Sequence, residues 1–89
     1  MTFASSPELR AELLSACRVL THFRIVEGFG HVSARIPDAE RVLITRRKTL
    51  GLVTQDVELV ELDMDDRLVA GSGNPPLEVP MHLAVYRRR

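Results

Sequence analysis

Gly28-Phe29-Gly30-His31-Val32-Ser33-Ala34-Arg35-Ile36 passes from a glycine-flanked turn directly into an alternating run. That passage divides the chain into a helical N-terminal segment and a sheet. Val32, Ala34 and Ile36 alternate with Ser33 and Arg35, the pattern of a half-buried strand. Upstream, Leu9, Leu13, Cys17 (or Ala16), Leu20 and Phe23 recur at helical spacing and form one apolar stripe. Ser5 is expected to cap that helix with Glu8 as its capping-box partner, Pro7 suits its first turn, and Gly28 is expected to end it.

Downstream, Pro37-Asp38-Ala39-Glu40 reads as a turn, and Val42-Leu43-Ile44-Thr45 as a second strand that completes a hairpin. A basic loop, Arg46-Arg47-Lys48-Thr49-Leu50-Gly51, leads to Thr54-Gln55-Asp56, a capped turn before the next strand. Val57-Glu58-Leu59-Val60-Glu61-Leu62 gives a third strand, and Asp63-Met64-Asp65-Asp66 turns it into a fourth at Arg67-Leu68-Val69-Ala70. Gly71-Ser72-Gly73-Asn74-Pro75-Pro76 is a loop, and a helix is expected from Leu77 with Pro80 tolerated in its first turn. Helix, mostly antiparallel strands, then helix specify an α/β sheet covered by helices.

The 89 residues make at most one small domain, burying about 60–65% of its unfolded surface. Aromatic residues are 4% with no Trp, so Leu, Val, Ile and Ala must build the core. Twelve basic and twelve acidic residues cancel, which argues against a nucleic-acid or membrane-surface role. One cysteine, Cys17, forbids an internal disulfide and a thiolate metal cluster. No apolar run is long enough to span a bilayer, and Met1-Thr2-Phe3-Ala4 lacks the regions of a signal peptide, so a cytoplasmic location is expected.

Two features carry chemistry. Glycines bracketing residues 28–30 bring backbone N–H groups close to an anion, although such pairs also mark ordinary tight turns. His31 beside them is either a hydrogen-bonded surface residue or a ligand contact. Glu78 is expected in a first helical turn behind a Gly/Pro loop, either as a plain helix-dipole residue or as a carboxylate presented to a substrate. His82, four residues on, shares that helix face; without a third donor, a structural histidine is the better reading than a metal ligand. Arg46-Arg47-Lys48 is a solvated charge run or an anion clamp.

In order, the first helix, Gly-Phe-Gly-His-Val-Ser-Ala-Arg, Leu-Ile-Thr, Val-Glu-Leu-Asp-Met-Asp and Pro-Leu-Glu-Val-Pro-Met-His-Leu-Ala-Val-Tyr resemble the class II aldolase/adducin family over residues 9–89. The resemblance implies a three-layer α/β/α fold, of which residues 1–89 are the N-terminal part with the C-terminal part missing. It places the family's catalytic acid/base on Glu78 and its anion-binding turn on Gly30 and His31, with His in place of Asn. Its phosphate loop falls near Arg47 and Lys48, and its paired serines before the Glu become Pro76 and Leu77. Three phosphate-binding features are therefore altered together. That favours a carboxylate-bearing hydroxy/oxo or aromatic substrate held by Arg46 or Arg47 over a sugar phosphate.

The resemblance further implies a metal-dependent lyase, an aldolase or a decarboxylase. In that chemistry a divalent metal (zinc, with manganese or iron as alternatives) stabilises the developing negative charge while the carboxylate moves a proton. The family's His-x-His ligands lie beyond Arg89, so no metal is expected on this stretch by itself, and the stretch alone is expected to be inactive. A homo-oligomer, usually a tetramer, is implied for the complete protein. Rival readings are a non-catalytic adducin-like interaction domain, a sugar-phosphate aldolase or epimerase, and an oxygenase on the same scaffold.

Overall fold

Residues 41–45 and 59–63 are rich in Val, Leu and Ile and buried almost throughout, and they become the centre of the sheet. The computed structural model describes residues 3–25, 30–48 and 52–88. Over these, the order is helix α1 (Pro7–His22), strands β1 (Ser33–Ile36) and β2 (Arg41–Thr45), a 3₁₀ turn (Asp56–Glu58), strands β3 (Leu59–Asp63) and β4 (Leu68–Ala70), and helix α2 (Val79–Arg87). The strands form an antiparallel meander in the order β1-β2-β3-β4.

Register sorts the side chains into two layers. Ile44 lies opposite Val60 and Val42 opposite Leu62, so these four share a face, which Val79 and Leu83 of α2 cover. One residue out of phase, Leu43 and Leu59 point the other way and pack with Ile36, Val53, and Leu13 and Cys17 of α1. The result is the expected three-layer α/β/α arrangement around an antiparallel sheet. Leu43, Ile44, Leu59, Val60 and Leu62 have no exposed surface, so β2 and β3 are apolar on both faces.

Local chemistry moves several boundaries. Ser6, not Ser5, caps α1, its Oγ accepting from the Leu9 amide at 3.0 Å. Ser5 is buried and turned toward Glu61 instead. Helix α1 ends at His22, and Phe23, expected on the buried stripe, is 68% exposed because it lies past the helix end. Gly28 and Phe29 fall outside the described residues, as do Thr49, Leu50 and Gly51 of the basic loop.

The third strand opens at Leu59 rather than Val57, since the Glu58 amide closes a 3₁₀ turn on the Gln55 carbonyl at 2.9 Å. The expected side-chain cap before it is absent, Gln55 occupying the cap position without a side-chain bond. In the next turn, Asp63 Oδ1 accepts from the amides of Asp65 and Arg67, so Arg67 belongs to the turn and β4 starts at Leu68.

Helix α2 starts at Val79, not Leu77. A helix entered at Leu77 would need the residue-80 amide to close its first bond on the Pro76 carbonyl, and Pro80 has no N–H. The Val79 amide reaches Pro76 O instead, at 3.4 Å, in a tighter turn. Glu78 is therefore the residue before the helix, and its side chain makes no capping bond.

Candidate active site

The loop between β4 and α2 is drawn over the end of β2. Gly71 and Gly73 have φ of +85° and +102°, and a Cβ on Gly73 would lie 2.8 Å from Arg46 Cδ. That close approach allows the loop carbonyls to accept from the basic segment: Arg46 Nη1 donates to Ser72 O, the Arg47 amide to Asn74 O and Arg47 Nη2 to Pro75 O. Pro76, Leu77 and Glu78 are thereby set beside Arg47 and Lys48. Gly30 and His31, entering β1, form the facing wall. Together these seven residues line a cavity of about 340 Å³, at the small end of the range for small-molecule sites.

Glu78 Oε1 lies 3.9 Å from His31 Nε2 at this cavity. His31 Nδ1 faces His82 Nε2 at 2.6 Å, His82 Nδ1 faces Ser33 Oγ at 2.6 Å, and Ser33 Oγ lies 2.8 Å from the Tyr86 hydroxyl. The backbone explains this line. Ser33 is two residues beyond His31 and lies on the α2 side of β1, in register with Ile44. His82 and Tyr86, one helical turn apart, descend onto it from α2. Burial holds His82 below the ordinary imidazole value of 6.5, and the adjacent His31 adds to the shift while Glu78 opposes it.

Of the expected residues, the fold brings together Gly30, His31, Arg47 and Glu78. It does not bring Arg46. The Arg46 guanidinium donates to Glu58 Oε2 at 3.2 Å, and Lys48 Nζ donates to Glu58 Oε1 at 2.9 Å. The bond from Lys48 is the main reason the Glu58 carboxyl is held below its ordinary value of 4.5; burial opposes that shift and Arg46 adds to it. The buried carboxylate draws both cations flanking Arg47, and of the two only Lys48 also lines the cavity, so Arg46 stays outside it. His82 has His31 and Ser33 as its hydrogen-bond partners rather than Glu78. Ser33 and Tyr86 went unread in the sequence, although period two from His31 and period four from His82 would have pointed to both.

The described residues do not fit a divalent metal. No three His, Cys, Asp or Glu side chains among them converge on a common point. The two histidines that come closest direct ring nitrogens at each other. The thiol of Cys17 is fully buried against the opposite face of the sheet, and burial raises its pKa. Nor is any helix among the described residues long and apolar enough to cross a membrane.

Comparisons with known proteins agree with this architecture. L-fuculose 1-phosphate aldolase superposes with a TM-score of 0.85 over 96% of this chain and 41% of its own, at 23% identity. YgbL from Escherichia coli, whose activity is named only as aldolase/epimerase/decarboxylase, superposes at 0.78 over 90% of this chain and 38% of its own, at 26% identity. The decarboxylase tropJ of Talaromyces stipitatus is 26% identical over 78 residues, 84% of this chain and 29% of the relative. The chain thus spans well under half the length of each of these proteins. The sequence profile of the class II aldolase and adducin N-terminal domain matches residues 11–89, nearly the whole length, and the chain belongs to that family.

Proposed function

We propose that the cavity holds the anionic end of a small, carboxylate-bearing substrate and that Glu78 moves a proton on it, as part of an aldolase- or decarboxylase-type lyase. One observation carries this reading: a carboxylate, Glu78, and two cations, Arg47 and Lys48, line the same small cavity with His31. The cations supply charge-assisted donors for a carboxylate, and Arg47 offers the planar geometry that matches it. Glu78 lines the cavity and makes no capping bond, which leaves its oxygens available as a proton acceptor or, once protonated, a donor. The decarboxylase relative and the aldolase-like neighbours support the lyase class. A divalent metal, a homo-tetrameric assembly and further residues completing the domain belong to the same proposal on the strength of the family alone.

Ligand titration followed by NMR tests the binding half. Sodium benzoate is expected to shift the resonances of residues 30–31, 47–48 and 77–78, and inorganic phosphate to do so more weakly. Arg47→Ala is expected to weaken benzoate binding by about 1.5–3 kcal/mol, the worth of a hydrogen bond to a charged group. Clear preference for phosphate would overturn the carboxylate assignment. For catalysis, Glu78→Gln in the active enzyme is expected to lower turnover by about 10²–10⁴-fold with the fold intact, and unchanged turnover would reduce Glu78 to a wall of the cavity.

A further inference from the structure

The line His31–His82–Ser33–Tyr86 has more order than a cavity wall requires. Each member can both donate and accept, and the three contacts measure 2.6, 2.6 and 2.8 Å. Such a chain has two self-consistent polarities. In one, every proton points toward the cavity and His31 carries its hydrogen on Nε2. In the other, every proton points inward and His31 Nε2 presents a lone pair to the cavity. Glu78 Oε1, 3.9 Å from that nitrogen, selects between them, since a lone pair facing a carboxylate is repelled whereas an N–H is attracted.

We propose that Ser33, His82 and Tyr86 are positioning residues of a proton relay that ends on His31 Nε2 and replaces the proton it donates. The proposal rests on the reading of this cavity as an acid/base site. When His31 Nε2 gives its proton to a base in the cavity, His31 Nδ1 takes the proton of His82 Nε2. His82 Nδ1 takes that of Ser33 Oγ, Ser33 Oγ takes that of the Tyr86 hydroxyl, and the phenol is refilled from water. Each member loses one proton and gains one, so no charge is left inside, and the reverse transfer resets the chain. Burial lowers the proton affinity of His82 and so favours its neutral ring, and a neutral ring with one donor and one acceptor nitrogen is what the central link needs. Tyr86 is only half-buried, which gives the far end its route to solvent.

The test is ¹⁵N NMR of the 89-residue chain with labelled histidine, without ligand and with sodium benzoate. The wild type is expected to show His82 and His31 each as a single Nε2–H tautomer, with His82 Nδ1 shifted by an accepted hydrogen bond. Ser33→Ala is expected to keep the single-tautomer pattern, which Glu78 and the His31–His82 contact still select, but to remove the His82 Nδ1 shift and to slow exchange of the His82 Nε2 proton with water several-fold. Tyr86→Phe is expected to keep both the pattern and the Nδ1 shift but to slow the same exchange several-fold. Unchanged exchange in Ser33→Ala or in Tyr86→Phe overturns the relay. Should Ser33→Ala lose the native amide spectrum, the Tyr86→Phe exchange rate decides alone. Benzoate separates the two ideas. Slowed exchange in Ser33→Ala without any benzoate-induced shift at Arg47 or Glu78 supports the relay and removes the anion cavity. Benzoate shifts with unchanged exchange in both variants remove the relay and leave the cavity.

Discussion

At position 61 a glutamate sits on the α1 side of the sheet, opposite Leu43 and with no exposed surface. Burial alone would push its carboxyl up. The Ser5 hydroxyl at 2.6 Å, the amides of Ala4 and Ser5 at 2.8 and 3.0 Å, and Arg41 at 3.3 Å outweigh that, and the pKa falls below the ordinary 4.5. One side chain thereby anchors the segment leading into α1 onto the central strands. Glu61→Gln keeps the shape but turns an N–H₂ toward donors, leaving at least one buried group unsatisfied. The expected cost is about 1–3 kcal/mol, read as a lower urea midpoint at unchanged slope. A midpoint equal to wild type would show that the anchor contributes nothing. None of this was legible from the sequence, where Ser5 reads as a helix cap and Glu61 as a strand residue. The two are 56 positions apart, and local patterns carry no such information.

At the scale of elements, periodicity was informative and boundaries were not. Alternation located β1, and the apolar run of β2, the mixed run of β3 and the turns between strands located the other three. The helix starts slipped because they depend on which amide finds which acceptor: Ser6 in place of Ser5, Val79 in place of Leu77. The apolar stripe of α1 was read one residue too far, and that gives a paired test. Leu43 has no exposed surface between α1 and the sheet, so Leu43→Ala is expected to cost about 2–5 kcal/mol. Phe23, past the helix end and 68% exposed, is expected to change stability by no more than about 0.5 kcal/mol when replaced by Ala. Equal losses in chemical denaturation would mean that Phe23 is covered in solution. The candidate site divides in the same way. Glu78, His31 and Arg47 stand in recognisable motifs, whereas Ser33 and Tyr86 matter only through the layer that stacks α2 on β1.

Taken as a whole, the molecule ties its two layers together through ionisable groups with different protonation ranges, and stability should report them separately. Across the α2 layer, His82 binds its proton less readily than in the unfolded chain. Below about pH 6.5 the unfolded state therefore takes up more protons than the native one, and unfolding free energy falls as pH falls, continuing until the lowered native value is passed. Across the α1 layer and the loop beneath the cavity, Glu61 and Glu58 are held as carboxylates below their ordinary 4.5. Their contribution is fully present above that value and is lost as pH drops through the native values. With twelve acidic and twelve basic residues, no large net charge hides these local terms near neutrality. Urea midpoints are thus expected to be flat between about pH 7 and 8, to decline gently from about 6.5, and to decline more steeply below about 4.5. His82→Gln should remove the first decline and Glu61→Gln part of the second. A wild-type curve that stays flat from pH 7 to 5 would mean that His82 takes up its proton in the native fold as easily as in the unfolded chain. That behaviour is incompatible with a half-buried ring held between His31 and Ser33.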